Sequence, residues 1–364
     1  MKRILCIVGS MDTGGAETFL MKIYRVLDRE EYQIDFCVGT QKEGFYNKEI
    51  LGKGGRVFSV CNKTTNLFRY IKELRCLIKS EQYCSVLRVG ADCFAGLDLW
   101  VALSCGMEKR AFRSSNSGSD SGKVGNLLHI MLRKVIFSVS NIKIAPSKLA
   151  AEYTFGKRAL EKGNVTILPN AIPIEKFVFH KETRERLRKK LQIDNKIVIG
   201  HVARLTKQKN QKFLLQILAE IVKKEQNVKL LIIGDGELKQ ELIEKARELG
   251  LGQYIDWMGI RDNINELMLC FDVFVLTSFY EGMPNVVVEA QASGLSCILS
   301  DTITKEVNIT GNVKFLPIRE NYQEWGEIIL KKAMVRDNDA ANKMKEKHYA
   351  IEESADKFVE LLYT

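Results

Sequence analysis

"IVIGHVARLTKQKNQKFLLQILAEIVKKEQNVKLLIIGDGEL", residues 197 to 238, decides the fold. It opens on an apolar run rich in Ile and Val, crosses a basic polar loop, continues with apolar residues at helical spacing, and closes on a second apolar run. That is strand, helix, strand. Short apolar runs buried on both faces belong to parallel sheets, whose neighbouring strands need a crossover helix. The alternation continues downstream in "ELKQELIEKARELG", "YIDWMG" and "VFVLT". It also occupies the start of the chain, as "RILCIVG", "AETFLMKIYRVLD" and "YQIDFCVG", with Phe19, Leu20, Ile23, Val26 and Leu27 on one helical stripe. Two doubly wound α/β domains are therefore expected.

Between the two halves, "LPNAIPIEKFVFH" and the charged "KETRERLRKKLQ" break the periodicity and hold two of the five prolines. A hinge is expected near residues 169 to 180, with domains at 1–170 and 171–350. The tail "YAIEESADKFVELLYT" has helical spacing through Ile351, Ala355, Phe358, Leu361 and Leu362. As a helix over 351–364 it would cross back to the first domain.

At 364 residues, 46% hydrophobic and 27% charged, the chain suits a globular protein with two cores. Nine cysteines (Cys6, Cys37, Cys61, Cys76, Cys84, Cys93, Cys105, Cys270 and Cys297) are scattered through apolar segments. No C-x-x-C pair or His spacing suggests a metal, so they read as small core residues of a cytoplasmic protein. The N-terminal "MKRILCIVGSMDTGG" is too short an apolar run for a signal peptide and reads as a first strand. No stretch approaches the roughly 18 apolar residues of a membrane span.

The net charge of +10 lies wholly in the first half: residues 1–168 hold 26 Lys/Arg against 16 Asp/Glu, the remainder 29 against 29. Such asymmetry suits a polyanion, an anionic membrane surface or a phosphate-bearing substrate. No zinc-finger, helix-turn-helix or RNP-type signature accompanies it, which argues against nucleic acid.

Five stretches could carry chemistry. "GSMDTGGAETF" puts Gly14 and Gly15 before a helix, as a ligand loop or a tight turn, without a G-x-G-x-x-G fingerprint. "HVARLTKQKN" puts Arg204 and Lys209 beyond a buried strand, where open sheets bind ligands; two cations there could hold a diphosphate, or form a solvated loop. "LIIGDGEL" is a Gly234-Asp235-Gly236 turn, with Asp235 read as a turn residue. In "YIDWMGIRDNINELM", Gly259 ends a strand, and the backbone at Ile260 could edge a nucleobase or form a plain loop. In "SFYEGMPNVVVEAQASGLSCILSD", Gly282 gives a bend and Pro284 suits the first helical turn, leaving amides near Met283 to Val286 for an anion. Glu289 would lie roughly 7.5 Å further along that helix.

In order and spacing, these second-half motifs resemble the signature of retaining glycosyltransferases of family 4, with the GT-B fold of two Rossmann-like domains. Glu281 and Glu289 match that family's E-x7-E pattern. The resemblance implies that Arg204 and Lys209 clamp the donor diphosphate, that Glu289 accepts from ribose hydroxyls, and that Glu281 meets hydroxyls of the transferred sugar. It makes Gly15, Gly234, Ile260, Gly282, Met283, Pro284, Asn285 and Val286 donor contacts. Carboxylates accept only, so they suit hydroxyls while cations and helix amides hold phosphate. No metal or other cofactor is then required, because those groups supply the positive charge.

The implied reaction is transfer of a sugar from a nucleotide donor, UDP-linked, to a saccharide or lipid-linked acceptor in bacterial capsule, exopolysaccharide or O-antigen synthesis. It is a front-face substitution resting on positioning and electrostatics, without the paired carboxyls of glycoside hydrolases. A nucleotide-sugar epimerase or a non-catalytic paralogue are the alternatives. The family's first-domain histidine is absent: "AFRSSNSGSD" has Arg113, Ser114, Ser115 and Asn116 there, while His129, His180, His201 and His348 lie elsewhere. Arg113 and Asn116 stand as candidates for acceptor or donor-sugar contacts. "TNLFRYIKELRCLIKS" and "KVGNLLHIMLRKVIFSVS" alternate basic and apolar residues, as a core helix with a solvated face or as a peripheral contact with an anionic inner membrane.

Overall fold

The computed structural model describes residues 1–12, 14–90, 93–115, 133–319, 321–333 and 335–364. The chain divides into two compact units, Met1–Ala171 with His348–Thr364, and Ile172–Lys347.

In the first unit, β1 (Lys2–Val8), β2 (Tyr32–Val38), β3 (Val57–Ser59), β4 (Tyr83–Gly90), β5 (Lys109–Ser114), β6 (Ile142–Ala145) and β7 (Thr166–Ile167) form one sheet. Its order is β3-β2-β1-β4-β5-β6-β7, and every pairing is parallel. Winding therefore reverses between β1 and β4. The helix Gly15–Val26 buries Phe19, Leu20 and Ile23, and the helix Ile351–Leu362 adds Ile351, Ala355, Phe358 and Leu362 to the same core. Tyr363 Oη donates to Gln33 O at 2.9 Å, tying the tail to β2. Val26 departs from the expected stripe and is exposed: the helix ends there, and extended backbone at Leu27 turns that side chain inward instead.

In the second unit, β8 (Ile197–Val202), β9 (Val228–Ile233), β10 (Ile255–Gly259), β11 (Val273–Leu276), β12 (Ser296–Ser300) and β13 (Val313–Leu316) run in the order β10-β9-β8-β11-β12-β13. All pairings are again parallel. The reversal falls between β8 and β11. Both sheets thus have the doubly wound, Rossmann-like arrangement. At the amino ends of β8 and β11, Asp272 accepts from Arg184, from Arg188 at 3.0 Å and from the Val198 amide at 2.7 Å. This closes that end of the strand pair and leaves the carboxyl end for ligands.

The cysteines follow packing only in part. Cys6, Cys37, Cys270 and Cys297 are buried, but Cys76 is exposed. It lies on the outer face of the helix Leu67–Ser80, opposite the buried stripe of Tyr70, Leu74, Leu77 and Ile78.

Candidate active site

Beyond β8 the chain stays bonded to the loop that follows β9. Ala203 N donates to Ile233 O (3.0 Å) and Leu205 N to Asp235 O (2.9 Å). Leu205 is thereby buried and the alternating Arg204 side chain points outward. This close approach explains the glycines. Gly234 has φ +134°, and a Cβ there would lie 2.0 Å from Ala203 O; one at Gly236 would lie 2.3 Å from Leu205 O. Asp235 keeps the turn role expected of it, accepting from Gly236 N at 2.9 Å. Gly234 N donates to Gly259 O at 2.9 Å, which brings Ile260, 78% exposed, to the same loop cluster.

The loop after β11 is tied to the same place. Thr277 Oγ1 lies 3.2 and 3.0 Å from the carbonyls of Lys209 and Asn210. Phe279 N donates to Gln208 O (2.8 Å). Ser300 and Thr302 hydroxyls donate to Ser278 O from the far side. The result is an ion pair between Lys209 Nζ and Glu281 Oε1, residues 72 apart in sequence, with Ser278 Oγ also donating to that oxygen at 2.9 Å. The two side chains are 20% and 11% exposed, so the pair is sheltered but reachable.

The next helix runs from Asn285 to Ala292 with Pro284 at the capping position, one residue before the expected first turn. The reason is its extended backbone (ψ 110°), and its carbonyl accepts from Val287 N at 3.0 Å. Glu289 is half-buried on this helix. Arg204, Lys209, Gly234, Ile260, Glu281, Gly282, Met283, Pro284, Asn285, Val286 and Glu289 thus all lie in or just beyond the loops at the carboxyl end of this sheet, where strand order reverses. That is the ligand position of doubly wound sheets. Among the described residues no group of three or more His, Cys, Asp or Glu side chains is arranged to hold a metal ion.

Sequence reasoning missed a buried residue here. His201, on β8, is fully buried; its Nδ1 lies 2.9 Å from Val275 O and its Nε2 3.2 Å from Gln211 Nε2. Burial pulls its pKa down to about 4, so the ring is neutral. A lone His in the aliphatic run "IVIGHV" was the available signal.

The first unit brings less together. At the start of the helix Gly15–Val26, Glu17 bends back over Gly14 and accepts from its own backbone amide; burial raises its pKa. Gly15, expected as a donor contact, is exposed at this helix start, next to the Gly14 that Glu17 covers. Arg113 is 1% exposed, stacked 3.6 Å over Phe19 and donating to Asn170 Oδ1 at 2.7 Å. That corrects its reading as a substrate contact: its guanidinium is enclosed by its own unit. Asn116, the histidine His129 and most of "KVGNLLHIMLRKVIFSVS" lie outside the described residues.

A cavity of about 570 Å³ opens beside the carboxyl ends of β1 and β2, lined by apolar residues such as Val8, Val38, Val60 and Phe94. On its wall Asp98, fully buried, accepts from Tyr70 Oη (2.5 Å) and Lys63 Nζ (2.6 Å) and pairs with Arg88 Nε (2.7 Å). Single charges inside the apolar runs "CSVLRVG" and "FAGLDLWVALS" were the unused signal.

The family model for glycosyl transferases group 1 matches residues 183–350. EpsF, a glycosyltransferase-family protein of Bacillus subtilis (strain 168), is 34% identical over 338 residues, 91% of this chain and 88% of EpsF. The capsular polysaccharide biosynthesis glycosyltransferase CapH of Staphylococcus aureus is 25% identical over 84% of this chain and 82% of its own. In fold, the chain matches Anabaena Alr3699/HepE, solved in complex with UDP-glucose, with TM-score 0.78 over 99% of both chains at 19% identity. On its relation to EpsF across nearly its whole length, the chain belongs to the group 1 glycosyl transferases.

Proposed function

We propose that the chain transfers a sugar, with retention and without a metal ion, from a UDP-linked donor to a saccharide or lipid-linked acceptor in bacterial surface polysaccharide synthesis. The observation carrying this reading is the Lys209–Glu281 pair beside Arg204 at the strand-order reversal of the second unit. Arg204 and Lys209 bind the diphosphate and stabilise the charge that develops on it as the glycosidic bond breaks. Glu281 holds Lys209 through Oε1, leaving Oε2 as acceptor for a sugar hydroxyl, and Glu289 accepts from the ribose. The UDP-glucose complex of HepE, a structural relative, supports UDP as the nucleotide.

The first-unit cavity is the acceptor's side. Its apolar wall with a few converging polar groups has the usual composition of a small-molecule site. No described helix is long and apolar enough to cross a membrane. The helix Leu67–Ser80 instead exposes Phe68, 87% accessible, with Arg69, Lys72 and Lys79, a face suited to the surface of an anionic bilayer that presents a lipid-linked acceptor.

The test is transfer of radiolabelled sugar from UDP-glucose or UDP-galactose onto lipid extract by the purified chain. Label should move to the acceptor fraction, and Lys209→Ala and Glu281→Ala should each slow that transfer by about 10²–10³-fold. Full activity in both variants would overturn the site, and interconversion of free nucleotide sugars without transfer would favour an epimerase.

A further inference from the structure

The strands that flank the reversal in the second unit separate early. Paired residues of β8 and β11 are Ile199 with Val273 and Gly200 with Phe274, and the ladder stops there. One residue further on, the His201 ring occupies the gap. Just before it, Gly200 makes room for the Phe271 side chain: a Cβ there would lie 2.1 Å from that ring.

The hydrogen-bonding sense of this ring follows from its neighbours. Arg204 O can only accept, so Gln211, 3.0 Å away, must present its Nε2. The same Nε2 lies 3.2 Å from His201 Nε2, which must then be an acceptor. The ring proton is therefore on Nδ1, aimed at Val275 O, another group that can only accept. All four groups agree on one direction. Gln211 Oε1 is left buried without a hydrogen-bond partner, a desolvated acceptor that is tolerated while Nε2 serves the chain of bonds.

We propose that His201 and Gln211 form a positioning relay that sets the donor site. The ring wedges β8 from β11 and, through Gln211, fixes the backbone of Arg204, while Thr277 on the β11 side fixes Lys209 and Asn210. The two cations are thereby held at one separation from each other and from Glu281. His201 touches no substrate; it acts through the loop. The inference rests on the donor reading given above.

Two substitutions divide the ring's functions. Asn at 201 offers an N–H near the Nδ1 position, keeping the bond to Val275 O, but has nothing at Nε2. Gln at 201 reaches the Nε2 position with an acceptor for Gln211 and gives up the strand bond. By calorimetry with UDP, His201→Asn should raise Kd about tenfold and His201→Gln less than about threefold. Melting temperature should rank the other way, with Asn the more stable.

Affinity that follows melting temperature in both variants, or an unchanged Kd in His201→Asn, would overturn the relay and leave the donor site standing. Lys209→Ala is the control. If it binds UDP as tightly as the wild type, or if the wild type does not bind UDP, the donor reading falls and the relay with it.

Discussion

Six strands of each sheet follow the same order, with a seventh added at the edge of the first, but the reversals between β1 and β4 and between β8 and β11 carry their charges differently. Beside the first, Asp98 is fully buried and gathers Tyr70, Lys63 and Arg88 around it; Arg88 also donates to Ile7 O at 3.1 Å. The charges support the unit's own interior and leave an apolar chamber. Beside the second, Lys209 and Glu281 meet on loops with partial exposure, and Arg204 points outward. Topology determines where a crevice opens. Burial of its charged groups determines whether they are tied into the unit's interior or remain reachable.

Removing a charge at each reversal should show the difference. Asp98→Ala leaves the cations of Lys63 and Arg88 beside an apolar cavity and removes the acceptor of Tyr70 Oη. Removing one member of a buried charge cluster costs about 3–5 kcal/mol, so the urea midpoint should fall sharply at constant slope. A loss under about 1 kcal/mol would mean that the first reversal is no more internally bound than the second.

Lys209→Ala and Glu281→Ala should do the opposite. The pair is partly exposed, and each loop remains tied by backbone bonds, so the midpoint should change by less than about 1 kcal/mol. Transfer should fall by about 10²–10³-fold, the usual scale for losing one charge-stabilising group. Glu281→Ala losing stability while keeping turnover would reverse the contrast.

Acid sharpens it further. His201 has an ordinary pKa of 6.5 and is pulled to about 4 by burial. Between those values the unfolded chain takes up a proton that the folded chain refuses, so stability falls as pH drops through that window, by no more than about 3 kcal/mol from this group. Below it, His201 contributes no further slope. In the first unit Glu17 has the opposite sign. Its raised pKa makes the folded form bind the proton more tightly, so its contribution is full below pH 4.5 and is lost as pH rises. His201→Gln should flatten the acid limb of a stability–pH curve, and Glu17→Gln should remove a decline on the other side. Parallel curves for wild type and both variants would refute both assignments.

Much of this was legible in the residues because parallel strands and crossover helices leave apolar periodicities that need no partner to be seen. The turns at the second reversal could be read because Gly and Pro mark them locally, whereas their chemistry came only from the resemblance of the motifs, in order and spacing, to a glycosyltransferase signature. The Lys209–Glu281 contact, across 72 residues, could not, since ladder register and loop lacing bring it about. Nor could the inward turn of Arg113: a cation at the end of "RAFRS" looks the same whether it faces solvent or lies over Phe19. Pro284 moved by one residue because a proline with extended backbone can cap a helix as readily as begin one.

The smallest contrast lies within one turn. Gly234 and Asp235 are neighbours in one turn, yet the structure gives them unequal burdens. Alanine at 234 would need φ near +134° and would put its Cβ 2.0 Å from Ala203 O, so either the turn or the β8 loop must move. Strain of this kind costs about 1–3 kcal/mol, and the displaced segment includes Arg204, so donor affinity should fall with stability. Alanine at 235 removes an exposed carboxylate whose partners are its neighbour's amide and Lys239 at 3.6 Å. That should change stability by no more than about 0.5 kcal/mol and leave UDP affinity unaltered. Equal losses of affinity at both positions would mean that Asp235 contacts the donor directly. A loss at 234 alone would show that the glycine acts by letting the Arg204 loop approach.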